Sequence, residues 1–262
     1  MEHQNASTPA SSSQGFTLDP SVLDKKYHFL LRKLHSLSGV IPIGAFLTEH
    51  MLTNSMAFMG PEKFNDSVHT LHKLPFLWAL ETFGIFLPIA FHAIYGIKIA
   101  LSAEPNTHSY PYMANRRYTL QRITGYIAFL FLIVHLLKFR FAHLVGWGPS
   151  FLDPLNPDKF EMTRNGLMHW NITQLGIAVP AWLTLSMYVV GLWAACYHFA
   201  NGLWTFCISW GITVGEKAQK RVGTLAAAVG VILFVWGSMS LYAFANAKAA
   251  PSQPGTKMVA EN

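Results

Sequence analysis

The sequence predicts an all-α integral membrane protein, a bundle of five transmembrane helices. Three observations carry the prediction. Apolar residues make up 52% of the 262 positions and charged residues only 12%, a balance too apolar for a soluble domain of this length. Five apolar segments recur, at Leu34 to Leu52, Phe76 to Leu101, Tyr118 to Leu137, Leu175 to Trp204 and Val222 to Phe244; each has about the 20 residues a helix needs to cross hydrocarbon. Basic residues gather at alternate ends of these segments. Within a bilayer each backbone group must bond inside its own segment, so helices are the expected spanning structure.

Residues 1–26 are rich in Ser, Ala and Gln and lack the apolar stretch of a signal peptide, so they are expected to be a disordered cytoplasmic tail. Residues 27–247 are expected to form the bundle and 248–262 a disordered outer tail. The first span places His35, Gly39, Ile43, Phe46 and His50 on one helical face, and Pro42 is expected to kink it. The loop that follows has Phe64, Val68 and Leu71 at the spacing of a short surface helix, on which His69 and His72 are expected to meet water. In the second span Gly84, Pro88, His92 and Gly96 recur every fourth residue, a narrow stripe of small side chains around one imidazole that suits a large flat ligand. His108 falls in a Pro-containing inner loop. The third span aligns Gly125, Ala128, Leu132 and His135. A Gly/Pro-rich outer loop follows, flanked by His143 and His169, which are expected to face water. The fourth span repeats the stripe with Gly191, Ala195, His198 and Gly202, and the fifth has no histidine or charge, with Gly230 and Gly237 for close helix contact.

The net charge of +6 sits in short loops and tails, which argues against a nucleic-acid partner and in favour of a use in orientation. Lys25, Lys26, Arg32 and Lys33 precede the first span, Arg116, Arg117 and Arg122 open the third, and Lys217, Lys220 and Arg221 open the fifth. Those ends are expected in the cytoplasm, with the N-terminus inside and the C-terminus outside. The two cysteines, Cys196 and Cys207, make no disulfide framework and no C-x-x-C-H sequence, so a haem here would be held without thioether bonds.

Four histidines lie deep in spans, one per helix, and antiparallel threading sorts them by depth: His50 with His135 toward the outside, His92 with His198 toward the inside. An isolated imidazole in hydrocarbon is expensive unless paired. Two facing imidazoles at one depth are what a six-coordinate haem requires as axial ligands. Gly39 and Gly125 lie at the inner level, Gly84 and Gly191 toward the outer one, so every helix offers a ligand at one level and clearance at the other. Zinc would gather its ligands into one tetrahedral cluster. A histidine proton relay in a transporter is the rival reading from another class, and a haem-free structural anchor a third. Arg122, His35 and Ser36 are candidates for haem propionates, and Glu81 for proton delivery to a quinone; Glu49 is expected to point to headgroups.

The stretches RKLHSLSGVIPIGAFLTEH, FLPIAFHAIYG, LQRITGYIAFLFLIVH and YHFANGLWTFCISWGITV resemble, in order and spacing, the di-haem cytochrome b subunit of succinate dehydrogenases and fumarate reductases of the single-anchor type. The resemblance covers roughly residues 25 to 245 without the long outer loop. It implies two haems b, with His92 and His198 on the inner iron and His50 and His135 on the outer one. It also implies an iron-sulfur subunit and a flavoprotein subunit docked on the cytoplasmic face of a prokaryotic inner membrane, with dicarboxylate chemistry on those partners. Electrons are expected to run from the iron-sulfur subunit through both haems to a quinone, menaquinone, near the outer face. The same wiring run backward would serve fumarate reduction, and a higher oligomer of the whole complex is compatible with it. One departure concerns a glutamate that assists proton movement in some fumarate reductases of this type: two residues before the last ligand, this chain has Cys196.

Overall fold

Proline and glycine placement decides where the long helices bend, start and touch. In the computed structural model, which describes residues 20–102, 112–148, 151 and 157–247 with side chains from Tyr27 onward, the first apolar segment is two helices, α1 (Pro20–Val40) and α2 (Pro42–Ser55). Pro42 has no N–H and cannot continue the ladder. The flanking bonds from Ile41 N to the Leu37 carbonyl, 2.9 Å, and from Ala45 N to the Ile41 carbonyl, 3.0 Å, survive. The helix is thus interrupted at Ile41, beside the proline expected to disturb it, and the bonds on either side keep it from unravelling. The helix starts at Pro20, within the stretch expected to be tail; proline is favoured in a first helical turn. Residues 1–19 and 248–262 lie outside the described set, as does His108.

A short 3₁₀ turn, Met56–Met59, leads into α3 (Pro61–His72), the expected surface helix, with Phe64 and Val68 buried. The second span opens with one turn, α4 (Leu77–Ala79), widens into a π-helical stretch at Leu80–Phe86, and continues as α5 (Leu87–Leu101). Pro88 cannot bond the Gly84 carbonyl, and the preceding turn relaxes to longer pairing. This widened turn carries Glu81 and Gly84.

Helix α6 (Met113–Phe139) crosses next. The loop that follows contains more structure than its Gly/Pro content suggests: α7 (Lys159–Met168), then a hairpin of β1 (Trp170–Ile172) and β2 (Ile177–Val179) in antiparallel register with Trp170 opposite Val179. Asp158 caps α7 by accepting from Glu161 N at 3.0 Å. Asn65 ties α3 to this cap, donating to Asp158 Oδ1 at 3.1 Å and accepting from Phe160 N at 2.9 Å. Phe64, Phe160 and Phe244 close around one another with ring centroids 5.1 to 5.9 Å apart. Together these elements roof one end of the bundle.

Helix α8 (Ala181–Ser209) begins six residues later than the predicted fourth span, because Ile177–Val179 is strand and Pro180 marks the start of the helix. Helix α9 (Glu216–Asn246) returns along it. A Cβ on Gly230 would come within 2.7 Å of Ala200 Cβ, and one on Gly237 within 2.8 Å of the Leu192 side chain. These glycines set the α8–α9 approach as the sequence predicts. Among the described residues four helical segments are long and apolar enough to cross a membrane: Leu77–Leu101, Asn115–Phe139, Ala181–Ser209 and Glu216–Asn246. The architecture is an all-α membrane bundle, with α8 packed between α6 and α9, and α1 against α5. Its basic end carries Lys33, Arg117 and Lys220; its hairpin end carries α3, α7 and the two strands. Gly230→Leu should overfill the α8–α9 contact and cost about 1–3 kcal/mol, read as a lower thermal midpoint of the detergent-solubilised protein.

Candidate haem-binding core

Four helices each contribute one histidine to a shared interior. α2 supplies His50, α5 His92, α6 His135 and α8 His198, and all four line one cavity of about 290 Å³ whose other walls are mostly apolar side chains. At the basic-end level His92 faces His198, ring centroids 6.1 Å apart and planes at 88°. At the hairpin-end level His50 faces His135 at 5.7 Å and 82°. These are the two pairs expected from helix direction alone. Two imidazoles sharing one metal through bonds of about 2 Å stand about 6 Å apart between centroids. Edge-to-face ring packing alone gives similar spacing, so the hydrogen bonds decide what the rings are set up to do.

At the basic-end level those bonds are specific. His92 Nδ1–H donates to the His35 carbonyl at 2.9 Å, and His198 Nδ1–H donates to the Gln121 carbonyl at 3.0 Å. Each ring is thereby fixed as the tautomer whose Nε2 carries the lone pair, the arrangement that orients a metal-ligating histidine; at His198 that nitrogen has Gln121 Nε2 at 3.5 Å. At the other level His135 Nδ1 lies 3.3 Å from the Tyr188 hydroxyl. Asn54 Nδ2 donates to the His50 carbonyl at 2.8 Å and sits 3.4 Å from its Nε2. Among the described residues there is no cluster of three or more His, Cys, Asp or Glu able to hold a metal ion. Donors split two and two suit a ligand that fills its own equatorial positions, as a porphyrin does, and do not suit tetrahedral zinc.

The glycines act on the imidazoles more directly than the sequence suggests. A Cβ on Gly39 would stand 2.5 Å from His92 Cε1, and one on Gly125 3.0 Å from His198 Cε1. Gly39 and Gly125 thus seat the rings of His92 and His198. Gly191 seats Phe131, whose ring lies 5.8 Å from that of His135. Gly84 meets only the Leu80 side chain, at 3.7 Å, and stays outside the cavity. His35 stacks on His92, centroids 4.0 Å apart and planes 11° apart, with Ser36 beside it on α1, partly buried. Arg122 lies with its guanidinium carbon 4.6 Å from the Tyr118 ring centroid. Glu81 pairs with Arg140 at 3.0 Å, and Glu49 accepts from the Thr53 hydroxyl at 2.5 Å. Cys196 is buried and free.

Sequence reasoning missed a polar chain behind His198. Gln121 Nε2 donates to the His198 carbonyl at 3.1 Å, Asn201 Nδ2 to Gln121 Oε1 at 2.9 Å, and Arg117 Nε to Asn201 Oδ1 at 3.0 Å. Arg117 also lies 3.8 Å over the Trp204 ring. The signal was legible: Gln121 is one turn before Gly125 on its face, and Asn201 is three residues after His198.

The class this fold and site define is a helical integral membrane protein with two levels of paired intramembrane histidines, the layout of a membrane cytochrome b. No family model matches the chain. It is 38% identical over 216 residues, 82% of its own length and 96% of the relative's, to the succinate dehydrogenase cytochrome b558 subunit of Bacillus subtilis (strain 168). The chain belongs to the family of succinate dehydrogenase cytochrome b membrane-anchor subunits. That membership leaves the transporter alternative without support. Gly39→Ala should push the His92 ring from its seat and alter the absorption of the basic-end level alone, measured against Gly84→Ala, which should leave the spectrum as it is.

Proposed function

We propose that this membrane anchor holds two b haems, one between His92 and His198 and one between His50 and His135, and links an iron-sulfur subunit and a flavoprotein subunit to a quinone, menaquinone, at the hairpin end. The observation that carries this reading is the pair of facing imidazoles at each of two levels of one cavity. Haem b supplies reversible one-electron carriage. The chain supplies four ligating nitrogens, two backbone carbonyls that fix the tautomers at one level, and apolar walls that keep water from the interior. The kinked pair α1–α2 serves as the fifth span. The basic end faces the cytoplasm, where the soluble subunits dock and where lysine and arginine are retained. The N-terminus is then inside and the C-terminus outside, in the inner membrane of a prokaryote.

Glu81 is the candidate for proton delivery to the quinone. It lies in the widened turn ahead of Pro88, and its carboxylate is engaged by Arg140. Arg140 holds one of its two carboxylate oxygens and so positions the group in that turn. Cys196 stands where a relay glutamate occurs in some fumarate reductases, and Glu81 rather than Cys196 is the group assigned here to proton delivery.

The primary test is a reduced-minus-oxidised spectrum of the purified complex with a haem-to-protein ratio; two haems per anchor are expected. His92→Ala and His198→Ala should each remove the basic-end haem and spare the other, and unchanged haem content in both variants rejects the assignment. Glu81→Gln should retain both haems and slow quinone turnover by roughly the 10²–10⁴ typical of a lost proton-transfer group; wild-type turnover would remove Glu81 from the proposal.

A further inference from the structure

Near the hairpin end, α6 carries a charge that has no counterpart. Lys138 lies one turn beyond His135 and is only 7% exposed, and its Nζ makes no hydrogen bond. Its neighbours are rings: Nζ is 4.1 Å from the Trp170 centroid and 5.9 Å from that of Tyr188. Trp170 Nε1, on β1, is also buried without an acceptor. Carboxylates at the hairpin end are engaged elsewhere, Glu81 with Arg140 and Glu161 with Arg164, and Asp158 Oδ1 accepts from Asn65 and from Glu161 N. Among the described residues no acidic side chain pairs with Lys138. A buried ammonium is expensive unless an anion meets it, and contact with aromatic faces offsets only part of that cost.

An unpaired cation beside an unpaired N–H donor describes a binding site for an anion with at least two acceptor oxygens, a carboxylate. Position narrows the source. Tyr188 connects the two sites, since its ring lies beneath Lys138 while its hydroxyl is 3.3 Å from His135 Nδ1 and its side chain lines the histidine cavity. Trp170 and Tyr188 enclose the ammonium, and its near-complete burial separates it from lipid headgroups. We infer that Lys138 and Trp170 bind a propionate carboxylate of the haem held by His50 and His135. This rests on the two-haem reading above.

The role of the site is electrostatic as well as steric. A fixed cation beside the propionate keeps it ionised and opposes the gain of positive charge when that haem is oxidised. It thereby raises the potential of the hairpin-end haem relative to a site without it. Trp170 adds a directional donor, so the same pair fixes how the porphyrin is rotated about the axis joining the two imidazoles.

The test uses the whole purified complex. The haem-to-protein ratio of the wild type is measured first: fewer than two haems overturns the underlying reading, and this inference with it, before any substitution is compared. With two haems present, the hairpin-end haem is identified as the one altered by His135→Ala. Lys138→Met should then retain both haems, lower the midpoint potential of that haem alone and steepen its pH dependence near neutrality. Lys138→Arg should restore the wild-type potential. Unchanged potentials in Lys138→Met, or equal shifts of both haems, would overturn the inference. Loss of tightly bound anionic lipid from that variant with both potentials unmoved would assign the cation to a phosphate headgroup and overturn it as well. Should Lys138→Met not assemble, Trp170→Phe removes one donor only. It should shift the propionate bending band in the resonance Raman spectrum, and an unmoved band rejects the site.

Discussion

Imidazole nitrogens in a hydrocarbon interior must find partners, and much of this structure follows from how they do so. Each ring at the basic end gives its Nδ1–H to a main-chain carbonyl of a neighbouring helix, His92 to His35 on α1 and His198 to Gln121 on α6. These bonds cross between helices, so they bind the bundle together while they aim the opposite nitrogen. A carbonyl already engaged within its helix has a second lone pair to offer. The arrangement therefore requires no break in either helix.

Close approach of helices is the second requirement, and glycine supplies it in two different ways. On α9 it brings backbones together, with Gly230 against Ala200. On α1 and α6 it makes room for a ring, with Gly39 under His92 and Gly125 beside His198. Proline shapes the same two levels from outside the cavity. Pro42 bends the first span between its two histidines, and Pro88 widens the turn that presents Glu81. The helices are thus irregular where the site needs a particular angle and regular elsewhere.

The hairpin end is more than a cover. α3, α7 and the short strands bring Phe64, Phe160 and Phe244 together over the bundle, and they carry Trp170 to the side chain of Lys138. Charged residues at this end are distributed between committed pairs, such as Arg140 with Glu81, and the enclosed lysine. The basic end is arranged differently, with the chain Arg117, Asn201, Gln121 behind His198. One level is backed by a satisfied polar network and the other by a charge with no acidic partner among the described residues, so the two histidine levels have different surroundings.

Composition and periodicity alone determined the helical membrane class, the four histidines and their sorting into two pairs, because hydrocarbon length and alternating helix direction convert residue number into depth. The kink at Pro42 and the close contacts of Gly230 and Gly237 were legible for the same local reasons. The sequence could not show that Gly39 and Gly125 seat rings, that Gly191 seats Phe131, or that Gln121 and Asn201 stand behind His198. Those are contacts between segments distant in sequence, and only packing sets them. It also missed α7 and its strands, since a Gly/Pro-rich loop carries weak periodicity and its order comes from the Asp158 cap and Asn65 on another helix. Nothing in the residues around Lys138 sets it apart from other basic residues; its burial beside Trp170 and Tyr188 is a purely tertiary fact.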